Sequence, residues 1–139
     1  VQTCALPILT STKTSASPVG LAGRRVLIVE DEAFVAMLLE DILADMGCEV
    51  AGIAARIGPA LDKVQSLAFE VAILDVNLAG QTSYPVAEAL CERKIPFIFA
   101  TGYAAARLPP AFETVPVIQK PFRAQELETA LGAALGAGR

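Results

Sequence analysis

Along this chain, short apolar runs rich in branched side chains alternate with longer stretches in which apolar residues recur every three or four positions. The runs are Val26 to Val29, Val50 to Ala54, Val71 to Leu74, Phe97 to Ala100 and Val115 to Ile118. Each has the length of a buried strand and is too short for a helix. The stretches between them predict helices over Ala33 to Met46, Gly58 to Leu67, Tyr84 to Arg93 and Arg123 to Leu135, with Gly47 closing the first. In that first helix Phe34, Met37, Leu38 and Asp41 separate onto a different face from Leu39 and Ile42. Between Tyr103 and Phe112 helical character is weak, because Pro109-Pro110 removes amide donors and forces the preceding residue out of helical geometry. Strands alternating with helices in this way predict right-handed βαβ units, hence an α/β fold with a doubly wound, five-stranded parallel sheet.

The chain of 139 residues is long enough for one domain and too short for two ordinary ones. Residues 1–23 fall outside the pattern: a short apolar piece precedes a Ser/Thr/Lys/Pro/Gly stretch without periodicity, which predicts a flexible N-terminal tail before a folded domain over 24–139. The last helix ends close to Arg139, so a single module with no appended output domain is expected. Hydrophobic residues make up 54% and charged residues 19%, which excludes a disordered chain and fits buried parallel strands.

A formal charge of -4 offers no basic stripe for nucleic acid, so direct DNA binding is not expected. The complete absence of histidine rules out His-based triads and His-ligated zinc, leaving carboxylates, Lys, Thr or Cys to carry any chemistry. Cys4, Cys48 and Cys91 form no CxxC pair and are expected to be reduced packing residues. No run approaches a membrane span and the apolar start lacks a basic n-region, so a cytoplasmic, membrane-free protein is expected.

The ends of the apolar runs carry the chemistry. Glu30-Asp31-Glu32 follows the first, Asp75 the third, Thr101-Gly102 the fourth and Lys120-Pro121 the fifth. In an open parallel sheet the carboxyl ends of the strands lie along one edge, so these residues share a pocket. A carboxylate such as Asp75 can attack a phosphoryl group, but two anions then have to be brought together, which demands a cation. Glu30, Asp31 and Asp75 carry three negative charges that one Mg²⁺ and the Lys120 ammonium would balance, and Mg²⁺ favours such hard oxygen ligands. Thr101 offers a hydroxyl donor, and Gly102 lets backbone approach a bound group. Read singly, Asp31 is an ordinary helix N-cap, Asp75 and Thr101-Gly102 are turns and Lys120 is a solvated charge. Read together, they form a phosphoryl-transfer pocket working by positioning and charge neutralisation.

From Arg24 to Leu135 the chain resembles a receiver domain of a two-component response regulator. The resemblance rests on Leu27-Ile28-Val29-Glu30-Asp31-Glu32, Ile73-Leu74-Asp75-Val76-Asn77-Leu78, Ala100-Thr101-Gly102 and Gln119-Lys120-Pro121-Phe122, in that family's order and spacing. It implies a flavodoxin-like (βα)5 fold with strand order 2-1-3-4-5. It also implies Asp75 as phosphoacceptor, Mg²⁺ held by Glu30, Asp31, Asp75 and the Asn77 carbonyl, and Lys120 and Thr101 as readers of the phosphate. A cis Lys120-Pro121 bond is implied as well. The implied partners are a sensor histidine kinase or phosphotransfer protein and a downstream protein target, with the chain a monomer or weak dimer. It would be no enzyme beyond its own phosphoryl transfer and dephosphorylation.

More narrowly, Pro96 to Tyr103 is similar to receivers with a Phe-Ala-Thr-Gly signature. Two departures from most receivers stand out: Val117 occupies the position of the usual aromatic switch, and Ala79 that of a common proline. Tyr103 is a candidate to take over part of the switching. Alternatives are an Mg²⁺-dependent aspartyl-nucleophile phosphatase, which wants its nucleophile on the first strand and an acid where Asn77 stands, and a degenerate receiver acting as a phosphate-independent binding module. A dinucleotide-binding domain fits poorly, since the first βα turn has acids and no glycines.

Overall fold

The computed structural model of the chain describes residues 20–102 and 108–137. Five parallel strands form the sheet: β1 (Arg25–Val29), β2 (Glu49–Ala54), β3 (Val71–Asp75), β4 (Phe97–Thr101) and β5 (Val117–Gln119). Their spatial order is β2-β1-β3-β4-β5, as the resemblance implied. The helices are α1 (Ala33–Asp45), α2 (Ile57–Ser66), α3 (Tyr84–Glu92) and α4 (Ala124–Ala137). Between β4 and β5 the described residues hold one 3-10 turn, Pro110–Phe112, in keeping with the paired prolines. Tyr103 lies outside the described residues.

The two-residue period of the strands builds two cores. Val26, Ile28, Val71, Ile73, Ile98 and Ile118 face α1 and α4, packing on Leu39, Leu43, Leu127 and Leu131. Leu27, Val29, Ala72, Leu74, Phe97 and Phe99 face the other way, onto Val64 of α2 and Val86 and Leu90 of α3. Alternate residues of one strand therefore anchor opposite helical layers, which is why the apolar runs are continuous rather than alternating. On α1, Ala36, Leu39 and Leu43 are buried while Phe34, Met37 and Leu38 are exposed, so the face separation read from the sequence is present.

Some expectations shift. The fifth strand starts at Val117 and not Val115: Pro116 has no amide to donate, and its carbonyl instead accepts the Phe99 N–H at 3.0 Å, while Val115 is buried in the α2/α3 core. The folded part also reaches back beyond Arg24. Leu21 is buried, its carbonyl 3.2 Å from the Cys48 sulfur, and Gly23 N–H donates to Gly47 O at 2.7 Å. Gly47, at φ 84, closes α1 in the left-handed geometry expected of it. Cys48 is free and buried, but Cys91 is disulfide-bonded, against the expectation of three reduced thiols. Among the described residues no helix is long and apolar enough to cross a membrane.

Phe99 is fully buried and stacks edge-on with Phe97 and Phe112 at ring-centroid distances of 5.5 and 5.7 Å, with Tyr84 at 6.2 Å. Phe99→Ala should lower the unfolding free energy by about 3–5 kcal/mol, read from urea unfolding curves, because the rings around it are tied to separate elements and cannot collapse into the void.

Candidate functional site

Four strand ends converge at one edge of the sheet. The strand order reverses between β1 and β3, which opens a crevice at their carboxyl ends. Glu30 leaves β1 there, its N–H still bonded to Ala54 O of β2 at 2.9 Å. Asp75 is the last residue of β3, and the next residue, Val76, donates to Ala100 O of β4. Thr101 ends β4, and its carbonyl accepts the Lys120 N–H at 2.8 Å, so the backbone pairing of β4 and β5 fixes where Lys120 departs. The Lys120-Pro121 bond is cis, as the resemblance implied.

The Lys120 ammonium lies 2.9 Å from Glu30 Oε1, 3.0 Å from Asp75 Oδ2 and 3.9 Å from Glu32 Oε1. Glu30 and Asp75 are only 3% and 6% exposed, so this is a buried ion cluster and not a surface pair. The second oxygens are also engaged: Glu32 N–H donates to Glu30 Oε2 at 3.1 Å and Asn77 N–H to Asp75 Oδ1 at 3.3 Å. Two carboxylates crowd one ammonium, and the Asp75 charge opposes ionisation of Glu30 beside it. Burial, reinforced by the Asp75 charge and opposed by the hydrogen bond from Lys120, pushes the Glu30 carboxyl up to about 7. Burial alone would lower the Lys120 pKa, but its hydrogen bonds to Glu30 and Asp75 outweigh this and raise it.

Oxygens of Glu30, Asp31 and Asp75 all lie within 4.8 Å of one another, a donor set of hard oxygens able to hold a cation. Around an octahedral Mg²⁺ with bonds of about 2.0–2.1 Å, ligand oxygens stand roughly 3–4 Å apart, so a small inward movement would suit them to it. Asp31 is not the cap of α1. Glu32 holds the N-cap position, without a side-chain cap bond, while Asp31 Oδ2 accepts the Ala79 N–H at 3.0 Å.

Ala79 belongs to a feature absent from the sequence reading. Asn77–Leu78 and Gln81–Thr82 pair antiparallel as a short ribbon, closed by Ala79 at φ 51 and Gly80 at φ 88. The Asn77 side-chain oxygen accepts the Gly80 N–H at 2.9 Å inside it. Behind the ribbon Ser83 is fully buried, its N–H bonded to Val76 O, and its hydroxyl is the one buried side-chain polar atom lacking a partner among the described residues. Paired glycine-type turn geometry at Ala79-Gly80 was the available signal for the ribbon, but alanine in the first position obscured it.

Of the residues singled out from the sequence, Glu30, Asp31, Asp75 and Lys120 are brought together, and Thr101 is buried at the adjoining strand end. Asn77 directly follows the loop residue after Asp75 and is exposed. A Cβ on Gly102 would meet nothing within 4 Å, so packing does not demand glycine there and the space beside it is open. Val117 is exposed on β5, where no aromatic ring stands.

The response regulator receiver domain profile matches residues 26–132. The chain belongs to this family. This receiver is 44% identical to SdrG from Sphingomonas melonis Fr1, whose solution structure it matches over 81% of this chain and 97% of that one with a TM-score of 0.74. The receiver domain of the PhyR response regulator of Erythrobacter litoralis is 30% identical, over 82% of this chain and 91% of that one, with a TM-score of 0.69. The chemotaxis protein CheY of Thermotoga maritima is 41% identical over 56 residues, 40% of this chain and less than half, 47%, of that protein.

The cluster gives the receiver a pH dependence of definite sign. Folded, Glu30 keeps its proton up to about 7, whereas the unfolded chain releases it near 4.5, so the folded state binds more protons between those values. In EDTA, stability measured by thermal unfolding should decline as pH rises through this window, and the Glu30→Gln variant should lack that component.

Proposed function

We propose that this receiver is a phosphoacceptor response regulator of a two-component phosphorelay, phosphorylated on Asp75 by a histidine kinase or phosphotransfer protein and signalling through protein contacts. The observation that carries this reading is the Lys120 ammonium 3.0 Å from the Asp75 carboxylate, beside the oxygens of Glu30 and Asp31. An Asp75 oxygen attacks phosphorus, the bond to the donor nitrogen breaks, and the donor leaves with its electron pair. Glu30, Asp31, Asp75 and the Asn77 carbonyl are the residues that would hold Mg²⁺, which when bound would neutralise the charge of the incoming phosphoryl group.

Lys120 supports the chemistry by exchanging partners. Its ammonium, shared between Glu30 and Asp75 before the reaction, is placed to follow the negative charge onto a phosphoryl oxygen. Thr101, at the end of the neighbouring strand, would donate its hydroxyl to another. Such exchange at β4 and β5 is the kind of local electrostatic change that shifts a two-state surface and so alters which protein binds it. We read the chain as a cytoplasmic switch, monomeric or weakly dimeric, without direct DNA or membrane binding, and with no catalytic turnover beyond its own phosphoryl transfer and dephosphorylation.

Incubation with Mg²⁺ and acetyl phosphate, followed by intact mass measurement, tests the reading. The chain should gain one phosphoryl group, and Asp75→Asn or EDTA should abolish the gain. Turnover of many phosphoesters per chain would instead support an aspartyl phosphatase, and no adduct at all a phosphate-independent binding module.

A further inference from the structure

We propose that the Ala79-Gly80 turn is a positioning element of the cation site, its left-handed backbone aiming the Ala79 N–H at Asp31 and holding that exposed carboxylate within reach of Glu30 and Asp75. The inference rests on the Mg²⁺ reading above and adds to it a part that no carboxylate supplies.

Asp31 is exposed, and packing does not hold an exposed aspartate in one rotamer. The Ala79 N–H, 3.0 Å from Oδ2, reaches it from a part of the chain 48 residues away and leaves the other oxygen available. The amide points there because of the turn. Both central residues of the two-residue loop have positive φ, 51 at Ala79 and 88 at Gly80, the geometry of a type I′ hairpin. An alanine in that conformation is strained, and such strain persists only where the surroundings over-determine it.

The surroundings do so here. Leu78 is buried in the α2/α3 core, and the ribbon pairs Asn77 with Thr82 and Leu78 with Gln81. Inside the turn the Asn77 side chain accepts the Gly80 N–H, and at the ribbon's start the Asn77 N–H donates to Asp75 Oδ1. One small ribbon thus hydrogen-bonds to both Asp31 and Asp75, tying two of the three carboxylates to a common frame. Proline at position 79 is incompatible with all of this, since its φ is locked near -65° and it has no N–H. Receivers that carry proline here must hold the corresponding acid differently.

Outer hydrogen bonds of this kind commonly alter metal affinity by about 10–100-fold. Titration calorimetry with Mg²⁺ on the full chain should therefore find the Ala79→Pro variant weaker by about ten-fold or more. The conservative Ala79→Gly, which keeps both the N–H and the left-handed backbone, should retain the affinity. In an Asp31→Ala background Ala79→Pro should add no further loss, which a merely structural role would not produce.

Hydrogen exchange gives an arm that does not depend on the proline variant folding: without metal, the Ala79 amide should exchange faster in Asp31→Ala than in the unaltered chain. Equal exchange rates, unchanged affinity in Ala79→Pro, or an equal loss in both backgrounds would overturn the inference. Absence of Mg²⁺ binding to the unaltered chain would overturn the proposed function with it. Intact binding and phosphorylation alongside an indifferent Ala79→Pro would overturn the turn's role alone.

Discussion

Two buried carboxylates, at the ends of strands β1 and β3, close on a single ammonium from the end of β5, and the rest of the site is arranged around that imbalance. An ion in the protein interior is costly unless paired, and a pair broken on one side leaves an uncompensated charge. Here the acids outnumber the base, so Glu30 shares its share of the deficit by holding its proton more tightly than an exposed glutamate does. A cation held by this donor set would offset the excess negative charge and leave room for an additional anion. The charge pattern fits the proposed chemistry of an incoming phosphoryl group without any histidine in the chain.

Geometry, not sequence proximity, creates the cluster. Glu30, Asp75 and Lys120 are each the residue at which an apolar strand stops, and parallel pairing with the order β2-β1-β3-β4-β5 brings those stops to one edge. The two helical layers hold the sheet rigid through alternate residues of the same strands, so the positions of the three charged groups are fixed by the packing of Ile28, Ile73 and Phe99 as much as by their own bonds. The likeness to SdrG and to the PhyR receiver domain extends over this whole frame.

Much of this was legible beforehand because strands and helices announce themselves by period. Val71 to Leu74 reads as a buried strand, and the acid that interrupts it can only emerge at the end of the sheet. The elements that escaped depend on contacts with no local signal. The Asn77–Thr82 ribbon has strands of two residues and an alanine where a glycine would have betrayed the turn. Asp31 looked like a helix cap because capping is a local rule, whereas its bond to Ala79 spans distant parts of the chain. Leu21 was assigned to the tail since Ser, Thr and Pro around it hide one buried side chain. Ser83 had no pattern to mark it, and its buried hydroxyl is visible only once α3 is in place.

The central claim is that Lys120 serves as the resident counter-ion of Glu30 and Asp75, at a site whose charge a divalent cation would also offset. Thermal unfolding of the unaltered chain and of Lys120→Met, at about pH 8 where Glu30 is mostly ionised, with EDTA or with Mg²⁺, tests it most directly. The account predicts a Lys120→Met protein clearly less stable in EDTA, with Mg²⁺ restoring most of the difference. Equal stability of the two proteins in EDTA, or a deficit that Mg²⁺ leaves untouched, would contradict it.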